Sequence, residues 1–294
     1  MASKPIKILL GLLLVVLSLV VTVRLLAPGK TPAPVLPNPN GHDDFIQAGN
    51  ALVGNAPDVK TATVEELRSY VMQNTNALKL VRLGLSKKCR VPVEFTMNYA
   101  NRRLPELAAL KQLAIALAAE GRLAKLEQRT NDALAASIDA VRLGHEACRG
   151  GLMIDKLVGV ACEAIGLNLL ESLAGGLAAK ECHHATRALE QVDQQGESPE
   201  EVLRMERTWS RRSAGMMGRI VTLHPRLMRP AERKFSQSCQ QRGLQRRTLM
   251  LTLAISAHEA EHGKKPDNDS ALVPHYLSSI PVDPFTGTNL SLSP

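Results

Sequence analysis

Aromatic residues are scarce in this chain of 294 residues: they make up 3% of the sequence, whereas hydrophobic residues reach 45%. Ala and Leu dominate the apolar residues. Strands are enriched in aromatic and β-branched residues, and Ala and Leu are among the best helix formers. The composition therefore argues against a β-sheet fold and predicts a mainly α fold.

Cysteine is also rare, with five residues scattered along the chain and no C-x-x-C pair. This number and spacing exclude a dense disulfide framework, and we interpret the cysteines as small core residues. The sequence contains neither a Gly-rich phosphate loop nor a Gly-x-Ser-x-Gly elbow. We therefore expect neither an enzymatic activity nor a cofactor.

A long apolar run near the N-terminus, residues 8–27, is interrupted only by Arg24. About 20 residues are enough to cross the hydrocarbon core of a bilayer as a helix. The lysines within residues 1–7 favour a cytoplasmic N-terminus. The run is long for a signal peptide and no small-x-small cleavage site follows, so a cleaved signal is the less favoured alternative.

Five prolines follow in residues 28–44, which predicts a stiff, extended linker. These features predict a single-pass membrane protein of a bacterial envelope, with the bulk of the chain outside the cytoplasm.

Residues 45–241 carry repeated helix signals. A capping box begins at Thr63, and Ser198-Pro199 opens a later helix. Apolar periodicity predicts helices over 63–87, 104–120, 126–148, 152–174 and 178–195, mostly separated by glycines. We therefore expect stacked antiparallel hairpins similar to a degenerate tetratricopeptide repeat, although no clean repeat period is present.

Positive charge is concentrated in one stretch. The chain has a net charge of +8, and residues 204–247 contain 12 Lys and Arg against two acids, a local charge of +10. Nucleic acid is not the predicted partner, because of the predicted location and the lack of interleaved aromatics. Anionic headgroups, an acidic protein or an anionic polymer fit better, and a solvated face is the alternative. The candidate binding residues are Arg211, Arg212, Arg219, Arg226, Arg229, Arg246 and Arg247.

The last segment, residues 242–294, has a helix that ends at His262-Gly263, followed by the runs Leu272–Leu277 and Ile280–Gly287. These motifs resemble the C-terminal region of the type II secretion major pseudopilins. The N-terminal Gly-Phe processing site and early Glu of pseudopilins are absent, so a pilus subunit is not predicted. The whole layout is similar to uncharacterised bacterial envelope proteins, and that likeness implies no activity.

The run His258-Glu259-Ala260-Glu261-His262 matches H-E-x-x-H, in which two histidines bind zinc beside a general base. A charged residue lies inside this match, Gly263 ends the helix at once, and no downstream third ligand fits. We interpret it as an exposed polar helix end. Likewise, Cys182-His183-His184 are consecutive and point to different sides of a helix. No metal site is predicted.

The predicted function is that of a non-enzymatic, membrane-anchored envelope protein that presents a helical surface to a partner. The alternatives are an accessory of a type II secretion or pilus-like system and, less favoured, a membrane-anchored zinc protease.

Overall fold

The structure, a computed structural model, describes residues 13, 16–18, 35–213 and 225–291, without the side chains of 225–228. Residues 13 and 16–18 are helical. The rest of the predicted anchor at 8–27, the predicted cytoplasmic residues 1–7 and residues 28–34 of the predicted linker lie outside the described residues. The anchor therefore stays a prediction.

From residue 35 onward the described residues are mainly helical. The helices are α1 (Gly41–Asn50), α2 (Val64–Gln73), α3 (Thr75–Leu85), α4 (Tyr99–Leu126), α5 (Thr130–Glu146), α6 (Met153–Ala174), α7 (Ala179–Gln195), α8 (Pro199–Ser213) and α9 (Pro225–His262). A short 3-10 helix follows at Asp269–Ala271. The described residues form no strand, only an isolated antiparallel bridge between Val282 and Asn289. The predicted mainly α fold is confirmed.

Three predicted helix ends are formed by the expected capping interactions. The Thr63 hydroxyl accepts the Glu66 N–H, and the Glu66 carboxylate accepts the Thr63 N–H at 2.8 Å. The Ser198 hydroxyl accepts the Glu201 N–H at the start of α8. Gly263 has a φ of +71° at the end of α9, where a left-handed residue favours glycine.

Two predicted helices have different bounds. The helix predicted over 63–87 is broken at Asn74, whose buried side chain bonds both the N–H and the carbonyl of Val53. The predicted stop at Gly121 is wrong, because α4 continues to Leu126. Gly121 serves packing instead: a Cβ there would lie 2.5 Å from Leu169 Cδ2.

Two predicted segment boundaries fall inside helices. The linker was predicted to end at residue 44, but α1 already begins at Gly41, where the Asn40 side chain accepts the His42 N–H. The boundary predicted at residue 242 lies within α9, which is continuous from Pro225 to His262. The pseudopilin-like segment thus begins in the middle of a long helix.

The helix α6 is the central element, as its apolar sequence predicts, and it packs against α4, α5, α8 and α9. By length and composition, it is the one helix among the described residues that is apolar enough to cross a membrane, and 44% of its most apolar window is buried inside the protein. It also carries the buried charged residues Asp155, Lys156 and Glu163.

Two hydrophobic clusters fill the body on either side of α5 and α6. The first joins α1 to α4, with Phe45, Leu67 and Leu113 fully buried. The second joins α5, α6, α7, α9 and the tail, with Leu167, Leu253 and Leu272 fully buried. Burying one such side chain stabilises the fold by about 1.5–3 kcal/mol.

Glycines let α5 and α6 approach each other backbone to backbone. A Cβ on Gly144 would lie 2.5 Å from the Gly159 carbonyl oxygen, and a Cβ on Gly166 would lie 2.6 Å from the Val141 nitrogen. A Cβ on Gly159 would overlap the Gly144 carbonyl oxygen. The obstructing atoms are backbone, so they cannot move aside as a flexible side chain would.

Substituting Gly159 by Ala should therefore force α5 and α6 apart and lower the free energy of unfolding by about 1–3 kcal/mol. The matched control is Gly175→Ala, because Gly175 has φ −71° and no atom within 4 Å of an added Cβ. We expect Gly175→Ala to be neutral or slightly stabilising. Urea unfolding of both variants checks this, and equal stabilities would contradict the close approach.

Candidate anion-binding site

The seven arginines predicted to bind an anionic partner do not form one surface. Arg246 and Arg247 lie in internal ion pairs, and the guanidinium of Arg212 lies 3.7 Å over the centre of the Phe95 ring. Arg211 and Arg229 are exposed. Arg219 and the side chain of Arg226 lie outside the described residues. The structure therefore separates the internal arginines from those left at the surface.

Arg246 is the centre of a buried ion network. Its guanidinium contacts the carboxylate of Glu163 from α6 and, at 2.5 Å, that of Asp193 from α7. Asp193 also accepts a hydrogen bond from Arg247 Nε at 3.0 Å. Arg247 donates a second hydrogen bond to the Val282 carbonyl in the tail at 2.6 Å. The network therefore joins α6, α7, α9 and the tail.

The ionisation of Glu163 follows from these contacts. Burial alone would raise the pKa of this carboxyl, but the Arg246 guanidinium outweighs burial and holds the pKa at about 2. His145 Nε2 lies 3.4 Å from the same carboxylate. Burial lowers the pKa of His145, so this imidazole is neutral at pH 7 and the charged partner of Glu163 is Arg246.

A cavity of about 270 Å³ adjoins this network. α6, α9 and the loop before α8 form its walls, and Pro284 of the tail closes one side. Its charged lining residues are Lys156, Arg242, Arg246, Arg247, Glu163, Asp193 and Glu197. Four cations against three carboxylates give the lining a net charge of +1.

Two of these cations have no carboxylate partner among the residues that the structure describes. Lys156 is only 9% exposed, and its ammonium makes no ion pair or hydrogen bond there. Arg242 is half-buried: one NH group contacts the Gln245 side chain, while its Nε is buried without an acceptor. The acids are already engaged, since Glu163 and Asp193 bind Arg246, and Glu197 accepts the Gly150 N–H at 2.9 Å.

The pKa values of the two cations shift in opposite directions. Burial lowers the pKa of Arg242, as expected of a cation that loses water without gaining a carboxylate. Burial also opposes the charge of Lys156, but surrounding groups, Glu163 among them, leave the pKa of this ammonium raised. Both side chains are therefore cationic at pH 7, and an anion in the cavity would supply their missing partner.

His258, Glu259 and His262 do not form a group of three potential metal ligands among the described residues. His258 Nδ1 lies 3.1 Å from the Lys264 carbonyl, and His262 Nδ1 lies 3.1 Å from the His258 carbonyl. The rings of His258 and His262 stack on each other with their centroids 4.3 Å apart. Glu259 is exposed. These contacts are those of a capped helix end.

The sequence reasoning missed Lys156, Arg242 and Cys239 as cavity residues. A signal was present for Lys156, because it is one of four charged residues in a largely apolar helix, with Asp155, Glu163 and Glu171, and a buried charge needs a partner. Arg242 was counted only in the basic stretch. Comparison with protein-family models, with curated proteins and with solved structures gives no match to this chain.

The network predicts acid-sensitive stability. Because the folded pKa of Glu163 is below the ordinary value of 4.5, its stabilisation is present above about pH 4.5 and is lost as the pH falls towards about 2. Glu163→Gln leaves Arg246 poorly paired and should cost about 3–5 kcal/mol at neutral pH. The deficit relative to wild type should shrink on acidification.

Urea unfolding from about pH 7 to about pH 3 measures this change, since unfolding free energies track the linked protonation. Glu259→Gln is the control, because Glu259 is exposed and near no cation of the network. A deficit that stays constant with pH, or one that Glu259→Gln shares, would rule out the assigned role of Glu163.

Proposed function

We propose that this chain is a non-enzymatic, membrane-anchored protein of a bacterial envelope whose helical body binds a phosphate group in the cavity beside Arg246. The apolar run 8–27 is the proposed anchor, and residues 28–40 are the proposed spacer. The body lies outside the cytoplasm in this proposal. The observation that carries the binding function is the pair of cations, Lys156 and Arg242, left without a carboxylate partner.

The size of the cavity supports a small occupant. Pockets for drug-sized ligands begin at about 300 Å³, and this cavity measures about 270 Å³. It therefore suits one acidic group rather than a whole metabolite. A phosphate offers several strong acceptor oxygens and can bond two cations from different helices at once. A free phosphate, a lipid headgroup and an anionic polymer share this binding chemistry, so the proposal covers all three sources.

The exposed arginines give a second, weaker contact surface in the same proposal. Arg211 and Arg229 stay in solvent, where phosphates of a membrane or polymer reach them. Such contacts add to the affinity, and their contribution decreases as the salt concentration rises. The cavity is expected to supply specificity, because its cations are desolvated and fixed by packing.

The alternative function, an accessory of a type II secretion or pilus-like system, rests on the resemblance of the tail. Leu272, Tyr276 and Leu277 of that motif are buried against α7 and α9. Their packing holds the tail to the body of the same chain and needs no secretion partner to explain it. The phosphate-binding proposal is therefore preferred.

Lys156→Met tests binding through the change in stability that phosphate causes. Because nearby groups leave the pKa of Lys156 raised, the fold favours its ammonium, and the substitution should modestly destabilise the phosphate-free protein. The same substitution should abolish stabilisation by phosphate, which for wild type is about 2.7 kcal/mol at a hundredfold excess over Kd. Arg242→Gln should reduce that stabilisation in the same direction.

The measurement is thermal unfolding of the full chain in detergent, with inorganic phosphate, glycerol 1-phosphate or chloride at matched ionic strength. Lys180→Met is the control, because Lys180 is an exposed lysine on α7. A larger response to glycerol 1-phosphate than to inorganic phosphate would favour a headgroup as the source. If wild type responds to phosphate no more than to chloride, or if Lys156→Met responds like Lys180→Met, the proposal is wrong.

A further inference from the structure

A second cluster of titratable side chains lies at the C-terminal end of α9, whereas the cavity lies beside the middle of this helix. His183 from the first turns of α7, Glu261 from the last turn of α9 and His275 from the tail meet there. Glu261 Oε1 lies 3.2 Å from His183 Nε2, and Glu261 Oε2 lies 3.9 Å from His275 Nε2. Each residue offers one ligand atom, and these atoms all lie within 4.8 Å of one another.

Two imidazoles and one carboxylate form a donor set that suits Zn²⁺ and related first-row ions. Tetrahedral zinc with bonds of about 2.0–2.2 Å places its ligand atoms roughly 3.4 Å apart. The widest separation, 4.8 Å, must therefore shorten by about 1.4 Å for such an ion to bind. His275 can supply most of it, because its side chain is 70% exposed.

Tyr276 orients the members of this cluster. Its hydroxyl donates to Glu261 Oε2 at 2.6 Å, which leaves Oε1 directed towards His183. The Tyr276 ring stacks on the His183 ring at 5.0 Å with an interplanar angle of 14°. The Tyr276 ring also contacts the His275 ring edge to face, with centroids 4.8 Å apart and an interplanar angle of 84°. Partners behind the ligands that fix their orientation are a regular part of metal sites.

We propose that His183, Glu261 and His275 bind one divalent ion of the zinc class, with the fourth position open to solvent. Tyr276 is a positioning residue in this site. The ion joins the start of α7, the end of α9 and the tail, so binding stabilises the attachment of the tail to the body. The site shares the end of α9 with the H-E-x-x-H match but uses Glu261 in place of its two histidines.

Calorimetric titration of Zn²⁺ into the untagged full chain in detergent, after chelator treatment, tests the proposal. We expect one ion per chain and a higher melting temperature with zinc. His275→Ala and Glu261→Gln should each weaken binding by about tenfold or more, as the loss of a ligand removes a metal bond. The control is His184→Ala, because His184 is the exposed neighbour of His183 and is not a member of the cluster.

Tyr276→Phe tests positioning separately from ligation. It keeps the ring that stacks on His183 but removes the hydrogen bond to Glu261, so affinity should fall by about tenfold to a hundredfold. The visible absorption of bound Co²⁺ should change in the same variant, which a purely structural role of Tyr276 would not produce.

The proposal is overturned if wild type binds no zinc at micromolar concentrations, or if His275→Ala and His184→Ala bind it equally well. Since His275 is exposed, His275→Ala should fold, and circular dichroism verifies this. Lys156→Met should keep zinc affinity unchanged, so the test is independent of phosphate binding.

Discussion

The sharing of Arg246 between two carboxylates is the interaction on which the architecture around α9 depends. A buried guanidinium is costly unless its charge is matched and its N–H groups are satisfied. Glu163 and Asp193 come from different helices and meet that need together. Through Arg247, Asp193 also reaches the tail carbonyl of Val282. One desolvated ion network thus fixes the positions of three helices and the tail.

The same network explains why the cavity is basic. Because Arg246 and Arg247 occupy the carboxylates of Glu163 and Asp193, neither acid forms a direct ion pair with Lys156 or Arg242. Lys156 and Arg242 therefore line the cavity without a direct carboxylate contact among the described residues, and phosphate binding is proposed on that basis.

Features set by local interactions could be predicted from the sequence. Caps at Thr63 and Ser198 and the glycine after His262 depend on neighbouring residues, so their sequence signals suffice. The helix end predicted at Gly121 was wrong, because this glycine leaves space for the Leu169 side chain of a neighbouring helix. A glycine that ends a helix and one that lets helices touch have the same sequence signal when the partner is unknown.

The sites were less predictable than the fold for a related reason. Counting charge located the basic stretch but could not tell which arginines turn inward, since Arg246 finds its partners 53 and 83 positions away. The proposed zinc cluster likewise combines His183 with Glu261 and His275, which lie 78 and 92 positions later in the chain. Contacts over such separations leave no periodicity, so only the folded arrangement reveals them.

The close approach of α5 and α6 has a consequence for the order of folding. These helices are adjacent in the chain, so their contact closes a short loop and should form early. The helix α9 must find Glu163 and Asp193 across much longer loops and should dock late. The cavity would then come into existence only in the final step of folding. Partly folded chains that retain the α5–α6 hairpin should lack it, which ties ligand recognition to completion of the native state.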